Sequence, residues 1–371
     1  MSQPRPLDQP SPPRPLGRPS PLRVLVAGDP YMPATAWDGP LAVLGRQIAV
    51  TSLQIQDVTG APPRTGSERR LREYAGDPAQ VARAVAGHDV LVVHGAAVSA
   101  EVLDAAPLRL VCCARGGPVN VDVTAATERG IPVVNTPGKN AEAVAELTVA
   151  FALLLIRAVP RASHHLTGGG SFAESVFGGR EFFGQEAPGQ TLGLVGFGHV
   201  GREVAVRATA LGFTVLAYDP QPPPACPPGV RLVSLDALLE RSDIVSLHAR
   251  ATPDNRHMFS AARFAQMRPG ACFINTARES LVDETALGQA LASGALAGAA
   301  LDVLEQPPGG GRHPLLDAPS VLVTPHIGGA TEQTLQRGAQ RCAAAIADLL
   351  AGRVPANLVN PQILHAGSTA S

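Results

Sequence analysis

Residues 191–201 read Thr191-Leu-Gly-Leu-Val-Gly196-Phe-Gly198-His-Val-Gly201 and join a short apolar run to a GxGxxG pattern. The apolar run predicts a buried strand, and the Ala/Val-rich sequence after Gly201 predicts a helix over about 200–211. A second strand candidate, Phe213–Tyr218, ends at Asp219, 18 residues beyond Gly201. This order of strand, glycine turn, helix, strand and acid predicts a Rossmann-type dinucleotide site.

Each glycine of the pattern has its own physical reason. Gly196 permits the tight turn, Gly198 lets a pyrophosphate approach the backbone, and Gly201 lets the helix pack closely on the strand. The phosphates would then meet backbone N–H groups at the start of the helix, where His199 and Val200 lie.

Asp219 predicts which dinucleotide binds. Its carboxylate would accept hydrogen bonds from the adenosine ribose and would repel a 2′-phosphate. The following Pro220 and Gln221 offer no cation to a phosphate. We therefore predict NAD as the cofactor rather than NADP.

Length and composition set the wider limits. The chain has 371 residues, 45% of them hydrophobic, which is enough for two domains. A formal charge of −1 argues against nucleic acid as a partner. The longest apolar run, Leu147–Ile156, is about half of a bilayer span, which argues against a membrane partner. The five cysteines lack CxxC spacing, so we expect no metal site and a cytoplasmic location.

The rest of the sequence predicts an α/β organisation. Residues 1–21 contain eight prolines and are expected to form a disordered tail. A first α/β domain is predicted over residues 22–139, with strands at Leu22–Gly28, Asp89–Val93 and Leu108–Cys113. A helix follows from Asn140, which would cap it, to Ile156, with Pro160 as its stop. In addition to Thr191–Val195 and Phe213–Tyr218, the second domain has strand candidates at Ile244–His248, Cys272–Asn275, Ala299–Val303 and Val321–Thr324. A helix is predicted after them over Glu332–Leu350.

Three further motifs follow strands of the second domain, where open α/β sheets gather ligands. They are Ile274-Asn-Thr-Ala-Arg278, Ala300-Leu-Asp302-Val-Leu-Glu305 and Val323-Thr-Pro-His326-Ile-Gly-Gly329. Three others accompany them: Ala114-Arg-Gly-Gly117, Asn135-Thr-Pro137 and Val245-Ser-Leu-His248. Together with the glycine pattern, this ordered set resembles the D-isomer-specific 2-hydroxyacid dehydrogenase family, from about Leu22 to Val359.

The resemblance implies a fold and a reaction. An NAD-binding Rossmann domain, residues 140–328, would be inserted in a flavodoxin-like substrate domain, residues 22–139 plus 329–360. The active site would lie in the cleft between them, and the helix from Asn140 would contribute to a homodimer. The reaction would move a hydride between the nicotinamide C4 and the C2 of a D-2-hydroxy or 2-oxo acid. Both phosphoglycerate dehydrogenase-like and hydroxypyruvate or glyoxylate reductase-like activities fit.

The resemblance also assigns residues to roles. Arg278, a planar fork of donors, would grip the substrate carboxylate and polarise the C2 oxygen. His326 would take the hydroxyl proton during oxidation and return it during reduction. Backbone N–H groups of Gly116 and Gly117 would bind the carboxylate, with Arg115 and His94 as further substrate contacts. Asp302 would hold the nicotinamide carboxamide, and the other expected cofactor contacts are His248, Thr276, Ala277 and Gly328.

One position departs from the family pattern. The glutamate that pairs with the catalytic histidine in the family falls here on Pro307, five residues after Asp302. Either Glu305 (or Gln306) reaches His326 by an altered path, or His326 has no carboxylate and a lower pKa than in relatives. In the second case we expect slower turnover or a more acidic pH optimum.

The substrate is less well specified. Relatives that act on phosphorylated acids place arginine after the strand that here ends at Val93, whereas this chain has His94-Gly-Ala-Ala-Val98. Arg115 or the cluster Arg69-Arg70-Leu-Arg72 could substitute, but the pattern favours a small unphosphorylated acid. The short sequence after the last helix leads us to expect no amino-acid-sensing domain there. Because of Pro307, an NAD(H)-sensing binding protein with little turnover is the alternative function.

Overall fold

A computed structural model gives the fold, and it describes residues 20–171, 180–305 and 311–366. The chain divides into two compact units: residues 1–137 with 338–371, and residues 138–337. The second unit is therefore inserted between two segments of the first. Nearly all of the tail predicted as disordered, residues 1–21, lies outside the described residues.

The first unit is built on a five-stranded parallel sheet in the order β2-β1-β3-β4-β5. Its strands are β1 (Leu22–Gly28), β2 (Ile48–Gln54), β3 (Val90–Val93), β4 (Leu110–Cys113) and β5 (Val133–Val134). Its helices in this segment are α1 (Asp38–Ala42), α2 (Pro78–Val85), α3 (Ala100–Asp104) and α4 (Val123–Glu128). Strands β3 and β4 are fully buried, as continuous apolar runs between two helical layers should be. The strand order is that of flavodoxin-like folds, which confirms the expected fold class.

The carboxy-terminal segment completes the first unit. Helix α11 (Glu332–Leu350) crosses the division between the units, and the short helix α12 (Ile363–Ala366) follows. The buried Asn360 side chain accepts a hydrogen bond from the Val133 N–H (2.9 Å) and donates one to the Ile131 carbonyl (2.9 Å). These bonds attach the end of the described chain to β5.

The second unit is a seven-stranded parallel sheet in the order β12-β11-β10-β9-β6-β7-β8. Its strands are β6 (Thr191–Val195), β7 (Thr214–Tyr218), β8 (Val230–Leu232), β9 (Ile244–Leu247), β10 (Ala271–Asn275), β11 (Leu296–Leu301) and β12 (Val321–Val323). Its helices are α5 (Ala141–Ile156), α6 (Val159–Thr167), α7 (His199–Ala210), α8 (Leu235–Arg241), α9 (Ala261–Gln266) and α10 (Glu284–Ala292). The order reverses between β6 and β9, which is the ligand-binding point of a Rossmann fold.

The predicted strands are present, with ends shifted by up to three residues, but three further strands were missed. Strand β2 has four exposed residues in its middle and lacks the apolar alternation of a half-buried strand. Strands β5 and β8 have two and three residues, too short for a period to be visible. The prediction that Pro160 stops the helix from Asn140 was wrong. Helix α5 ends at Ile156, Ala158 adopts a left-handed φ of 52°, and Pro160 lies in the first turn of α6.

No single helix among the described residues is long and apolar enough to cross a bilayer. Helices α5 and α6 together have the required length and composition, but the chain bends by 68° between them.

Candidate active site

The glycine pattern forms the turn between β6 and α7. Gly196 has a φ of 98°, and a Cβ there would lie 2.6 Å from the Ala249 backbone nitrogen, so a side chain has neither the conformation nor the space. A Cβ on Gly201 would collide with the Gly196 carbonyl oxygen, which keeps the helix against the strand. A Cβ on Gly198, in contrast, would meet nothing within 4 Å. The backbone is therefore open at the position where the pyrophosphate is expected.

The start of α7 offers hydrogen-bond donors. Its N-cap residue is Gly198, and no side chain of the described residues caps it. The N–H groups of the first turn, at His199 and Val200, have no partner within the helix itself. A helix of 12 residues with an open first turn suits a phosphate.

Asp219 is tied to this turn. One carboxylate oxygen accepts the Phe197 N–H (2.7 Å), and the other accepts the Gln221 N–H (2.9 Å). A carboxylate can accept about four hydrogen bonds, so capacity remains for the two ribose hydroxyls. The side chain is half-buried and followed by the exposed Pro220.

His248 borders the glycine turn from β9. Its Nε2 lies 3.0 Å from the Ser246 hydroxyl, whereas its Nδ1 is buried without a hydrogen-bond partner among the described residues. Burial lowers the pKa of His248 to about 3, so the ring is neutral at pH 7. The open backbone at Gly198 and the uncapped first turn of α7 fit a bound dinucleotide.

Arg278 follows β10 and is presented by a turn that Asn275 organises. The buried Asn275 amide accepts the Ala277 N–H (2.9 Å) and donates to the Arg278 carbonyl (2.9 Å). The Arg278 side chain is exposed, and one Nη bonds the Ala277 carbonyl (2.7 Å). Most of its five N–H donors thus remain available to a ligand. The neighbouring Thr276 hydroxyl lies 3.0 Å from that of Thr148 on α5.

His326 follows β12 in an unusual backbone conformation. Its φ is 56°, in the left-handed region, and its side chain is exposed. Its N–H donates to the Asp302 carbonyl (2.9 Å), and the Asp302 N–H donates to the Asn275 carbonyl (2.9 Å). Backbone hydrogen bonds therefore link the loops after β10, β11 and β12, and these loops carry Arg278, Asp302 and His326.

The Asp302 carboxylate holds the loop around His326. It is 2% exposed and accepts the Thr324 hydroxyl (2.6 Å), the Ile327 N–H (2.8 Å) and the Gly328 N–H (2.8 Å). A Cβ on Gly328 would lie 2.8 Å from this carboxylate, so the loop can approach only as glycine. Sequence reasoning assigned Asp302 and Gly328 to the cofactor and missed this support of the histidine loop.

Glu305 is bonded elsewhere than at His326. Its carboxylate lies 3.0 Å from Arg256 Nη2 and 3.7 Å from His257 Nε2. No hydrogen bond or ion pair joins it to His326 within the described part of the chain. Pro307 and Gln306 lie outside the described residues.

Glu284, which the sequence analysis did not identify, bonds both Glu305 and His313. It accepts the Glu305 N–H (3.0 Å) and pairs with His313 (2.7 Å). Burial raises the pKa of Glu284. Two sequence features could have pointed to Glu284: its position as the first residue of α10 and the His313-Pro pair that it contacts.

The first unit places other candidates at the carboxyl edge of its own sheet. His94, after β3, lies 3.1 Å from Asp29, which follows β1, and its ring stacks on Tyr31 at 4.8 Å. Asp29 is buried and also accepts N–H groups of Tyr31, Met32 and Gly95 (2.6–2.9 Å). Although burial opposes it, the bond to His94 helps to lower the pKa of Asp29. These two residues lie where the strand order reverses between β1 and β3, which makes Asp29 a further candidate site residue. Its polar side chain directly after a buried strand was a signal that the sequence analysis did not use.

The loop after β4 holds the remaining candidates. Gly116 and Gly117 are exposed, and a Cβ on Gly117 would meet nothing within 4 Å. Their N–H groups donate to no acceptor among the described residues, so they are open to a ligand. The Arg115 guanidinium bonds the Glu73 carbonyl (2.7 Å) and forms an ion pair with the Glu73 carboxylate. Of the nearby arginine cluster, Arg70 pairs with Asp122 at 2.5 Å.

Comparison with known proteins agrees with this geometry. The family described as D-isomer specific 2-hydroxyacid dehydrogenase, NAD binding domain, matches residues 149–328. Hydroxypyruvate reductase of Thermotoga maritima is 41% identical over 253 residues, which cover 67% of this chain and 80% of that protein. The chain belongs to the D-isomer-specific 2-hydroxyacid dehydrogenase family. It is an NAD-dependent oxidoreductase that interconverts a 2-hydroxy acid and its 2-oxo acid.

Two further similar proteins are a relative about twice as long and a solved structure that is covered completely. D-3-phosphoglycerate dehydrogenase of Mycobacterium tuberculosis is 40% identical over 281 residues, covering 75% of this chain but 52% of that protein. The chain thus spans about half the length of this relative. The crystal structure of the TT0316 protein from Thermus thermophilus matches with a TM-score of 0.72 and 34% identity, covering 91% of this chain and all of that one.

Proposed function

We propose that this dehydrogenase reduces a small, unphosphorylated 2-oxo acid to the D-2-hydroxy acid, with Arg278 and His326 as its catalytic residues. The observation that carries the proposal is the linked set of loops after β10, β11 and β12. They leave a guanidinium and an imidazole exposed on the sheet edge that also carries the glycine turn. Bound NAD supplies the hydride acceptor or donor.

Arg278 would bind the substrate carboxylate. Two parallel N–H···O bonds from a planar guanidinium fix the orientation of a carboxylate, and a further N–H can polarise the C2 oxygen. Asn275 supports this role because it fixes the turn without using the charged end of the side chain.

His326 would move the proton. During reduction the imidazolium gives a proton to the C2 oxygen, and during oxidation the neutral ring takes it back. Asp302 would act on this step by position, since its carboxylate and its carbonyl both hold the loop of His326. Because Glu305 bonds Arg256, we propose that His326 works without a carboxylate partner from Glu305.

The substrate contacts proposed in the first unit are the N–H groups of Gly116 and Gly117, with His94 as a side-chain contact. Arg115 is paired with Glu73 and Arg70 with Asp122, so two of the cations that could have met a phosphate are already neutralised, which supports an unphosphorylated acid. The similarity to a hydroxypyruvate reductase supports the same choice.

We also propose a homodimer and a cytoplasmic location. The apolar residues of α5 are mostly buried within their own unit, so α5 offers little surface. Val159 and Leu166 on α6 are 41% and 42% exposed, and Phe183 is 71% exposed. Phe183 lines a cavity of about 320 Å³ in the second unit. An apolar surface of this kind suits a second copy of the chain. The five free cysteines support the reducing compartment.

Initial rates of NADH oxidation with glyoxylate, hydroxypyruvate, pyruvate and 3-phosphohydroxypyruvate test the function. We expect the highest kcat/KM with one of the unphosphorylated acids. Arg278→Lys should raise KM strongly, whereas Arg268→Lys, at the opposite end of β10, should change little because Arg268 pairs with Asp243 (2.5 Å). NADH binding without consumption of any acid would instead support the sensor function.

A further inference from the structure

Strand β2 is an open edge of the first unit. It pairs with β1 alone, and no other strand of the described residues lies beside it. Residues 49–52 in its middle are exposed. The sequence Ile48-Ala-Val-Thr-Ser-Leu-Gln54 contains no charge and no proline. Edge strands are usually protected against pairing by charged residues and proline, so their absence over seven positions requires an explanation.

The direction of its backbone groups follows from one hydrogen bond. The Ile55 N–H donates to the Gly28 carbonyl (2.9 Å) and therefore faces β1. Because successive residues of a strand alternate, the N–H groups of Leu53, Thr51 and Ala49 also face β1. Those of residues 48, 50, 52 and 54 face away from the sheet.

The two ends of the strand carry opposite charges. Arg46 precedes β2 and Asp57 follows it, both are exposed, and neither forms an ion pair with a described residue. Two large apolar side chains flank the same ends, with Val43 79% and Val58 75% exposed. An antiparallel partner with the same sequence would bring the basic end of one strand beside the acidic end of the other.

We propose that β2 is an interface between two copies of this chain, which pair their β2 strands in antiparallel orientation about a two-fold axis at Thr51. In this register residue 50 lies opposite residue 52 of the second copy, and residue 48 opposite residue 54. Every outward N–H is then used, in four residue pairs that each exchange two hydrogen bonds. Arg46 of each copy comes within reach of Asp57 of the other, and the two sheets become one of ten strands. This interface is separate from the one proposed at α6 and does not rest on the proposed enzyme function.

Sedimentation velocity of the full chain over a concentration series tests the interface. Ser52→Pro removes an outward N–H but no bond to β1, so it should prevent the association while Ser52→Ala preserves it. Arg46→Glu should raise the dissociation constant about tenfold, because two ion pairs are replaced by like charges. The double variant Arg46→Glu with Asp57→Arg should restore the wild-type constant.

NADH oxidation by each variant shows that the fold is intact. If Ser52→Pro does not fold, the charge-exchange series decides. The proposal fails if Ser52→Pro, folded and active, sediments like the wild type at every concentration. It also fails if the double variant remains as weak as Arg46→Glu, since only antiparallel self-pairing predicts the rescue. An α6 dimer that persists in Ser52→Pro leaves the enzyme proposal unaffected.

Discussion

Replacing Asp302 by asparagine should damage the histidine loop more than the fold as a whole. Three donors converge on the buried carboxylate, two on Oδ1 and the Gly328 N–H on Oδ2. An asparagine can place its oxygen toward only one side, so its NH₂ would face the Gly328 N–H where Oδ2 now accepts it at 2.8 Å. One bond is lost and two buried donors, the Gly328 N–H and the asparagine NH₂, face each other without an acceptor, which costs at least about 1–3 kcal/mol.

The lost hydrogen bond should lower turnover because it helps to hold the loop that carries His326. Its left-handed φ of 56° costs a non-glycine residue roughly 1–2 kcal/mol, and the Asp302 bonds to Ile327 and Gly328 hold the loop in that conformation. With this support weakened, the imidazole samples other positions. A displacement of about 1 Å can lower a catalytic rate by about 100-fold. We therefore expect kcat to fall by 10- to 100-fold, with NADH affinity changed less because the glycine turn is untouched.

Three measurements test this reasoning. Thermal unfolding should occur a few degrees lower, at roughly 2–4 °C per kcal/mol for a unit of this size. Amide exchange at residues 324–328 should accelerate, and kcat should fall. Asp283→Asn is the matched control: Asp283 caps α10 by accepting the Ala286 N–H (3.0 Å), and asparagine caps equally well. Wild-type kcat and exchange in Asp302→Asn would refute the assigned role of the carboxylate.

The other predictions concern the cofactor turn, acid stability and the missing glutamate. Gly198→Ala should leave thermal stability unchanged but weaken NADH binding in a fluorescence titration, whereas Gly196→Ala should destabilise the fold by at least about 1–3 kcal/mol because its Cβ has no space. Burial lowers the pKa of His248 from 6.5 to about 3, so as the pH falls below 6.5 the unfolded chain takes up a proton there while the folded chain does not. The free energy of unfolding should therefore fall by up to about 1.4 kcal/mol for each pH unit from pH 6.5 down to about 3. In urea unfolding at a series of pH values, His248→Gln should remove this part of the pH dependence. Pro307→Glu should raise kcat and move the pH–rate profile to higher pH; an unchanged profile would count against a missing carboxylate partner of His326.

Sequence alone predicted the elements whose signal is local. The glycine turn, β6, α7 and Asp219 follow one another within 29 residues, and each has its own steric or electrostatic requirement. Strand β2 was missed because four exposed residues give no apolar pattern. Its place in the sheet is set by pairing with β1, which is a tertiary interaction.

The side-chain partners were also beyond the sequence. The motif containing Arg115 is visible, but its ion pair with Glu73 joins residues 42 positions apart. Likewise, Glu305 was a candidate partner of His326 by spacing, and its bond to Arg256 depends on how two loops meet. The sequence identified the residue types, and the fold decided which of them pair.

We propose that the position and the basicity of His326 depend on different residues in this chain. Asp302 holds the loop of His326 in place: its carboxylate accepts the N–H groups of Ile327 and Gly328, and its carbonyl accepts the His326 N–H. The residue that would adjust its basicity in the family is replaced by Pro307. The two effects should therefore separate: Asp302→Asn should lower kcat without moving the pH–rate profile, and Pro307→Glu should move the profile. If Asp302→Asn shifts the profile as far as Pro307→Glu does, the buried carboxylate also controls the proton, and position and basicity are not independent here.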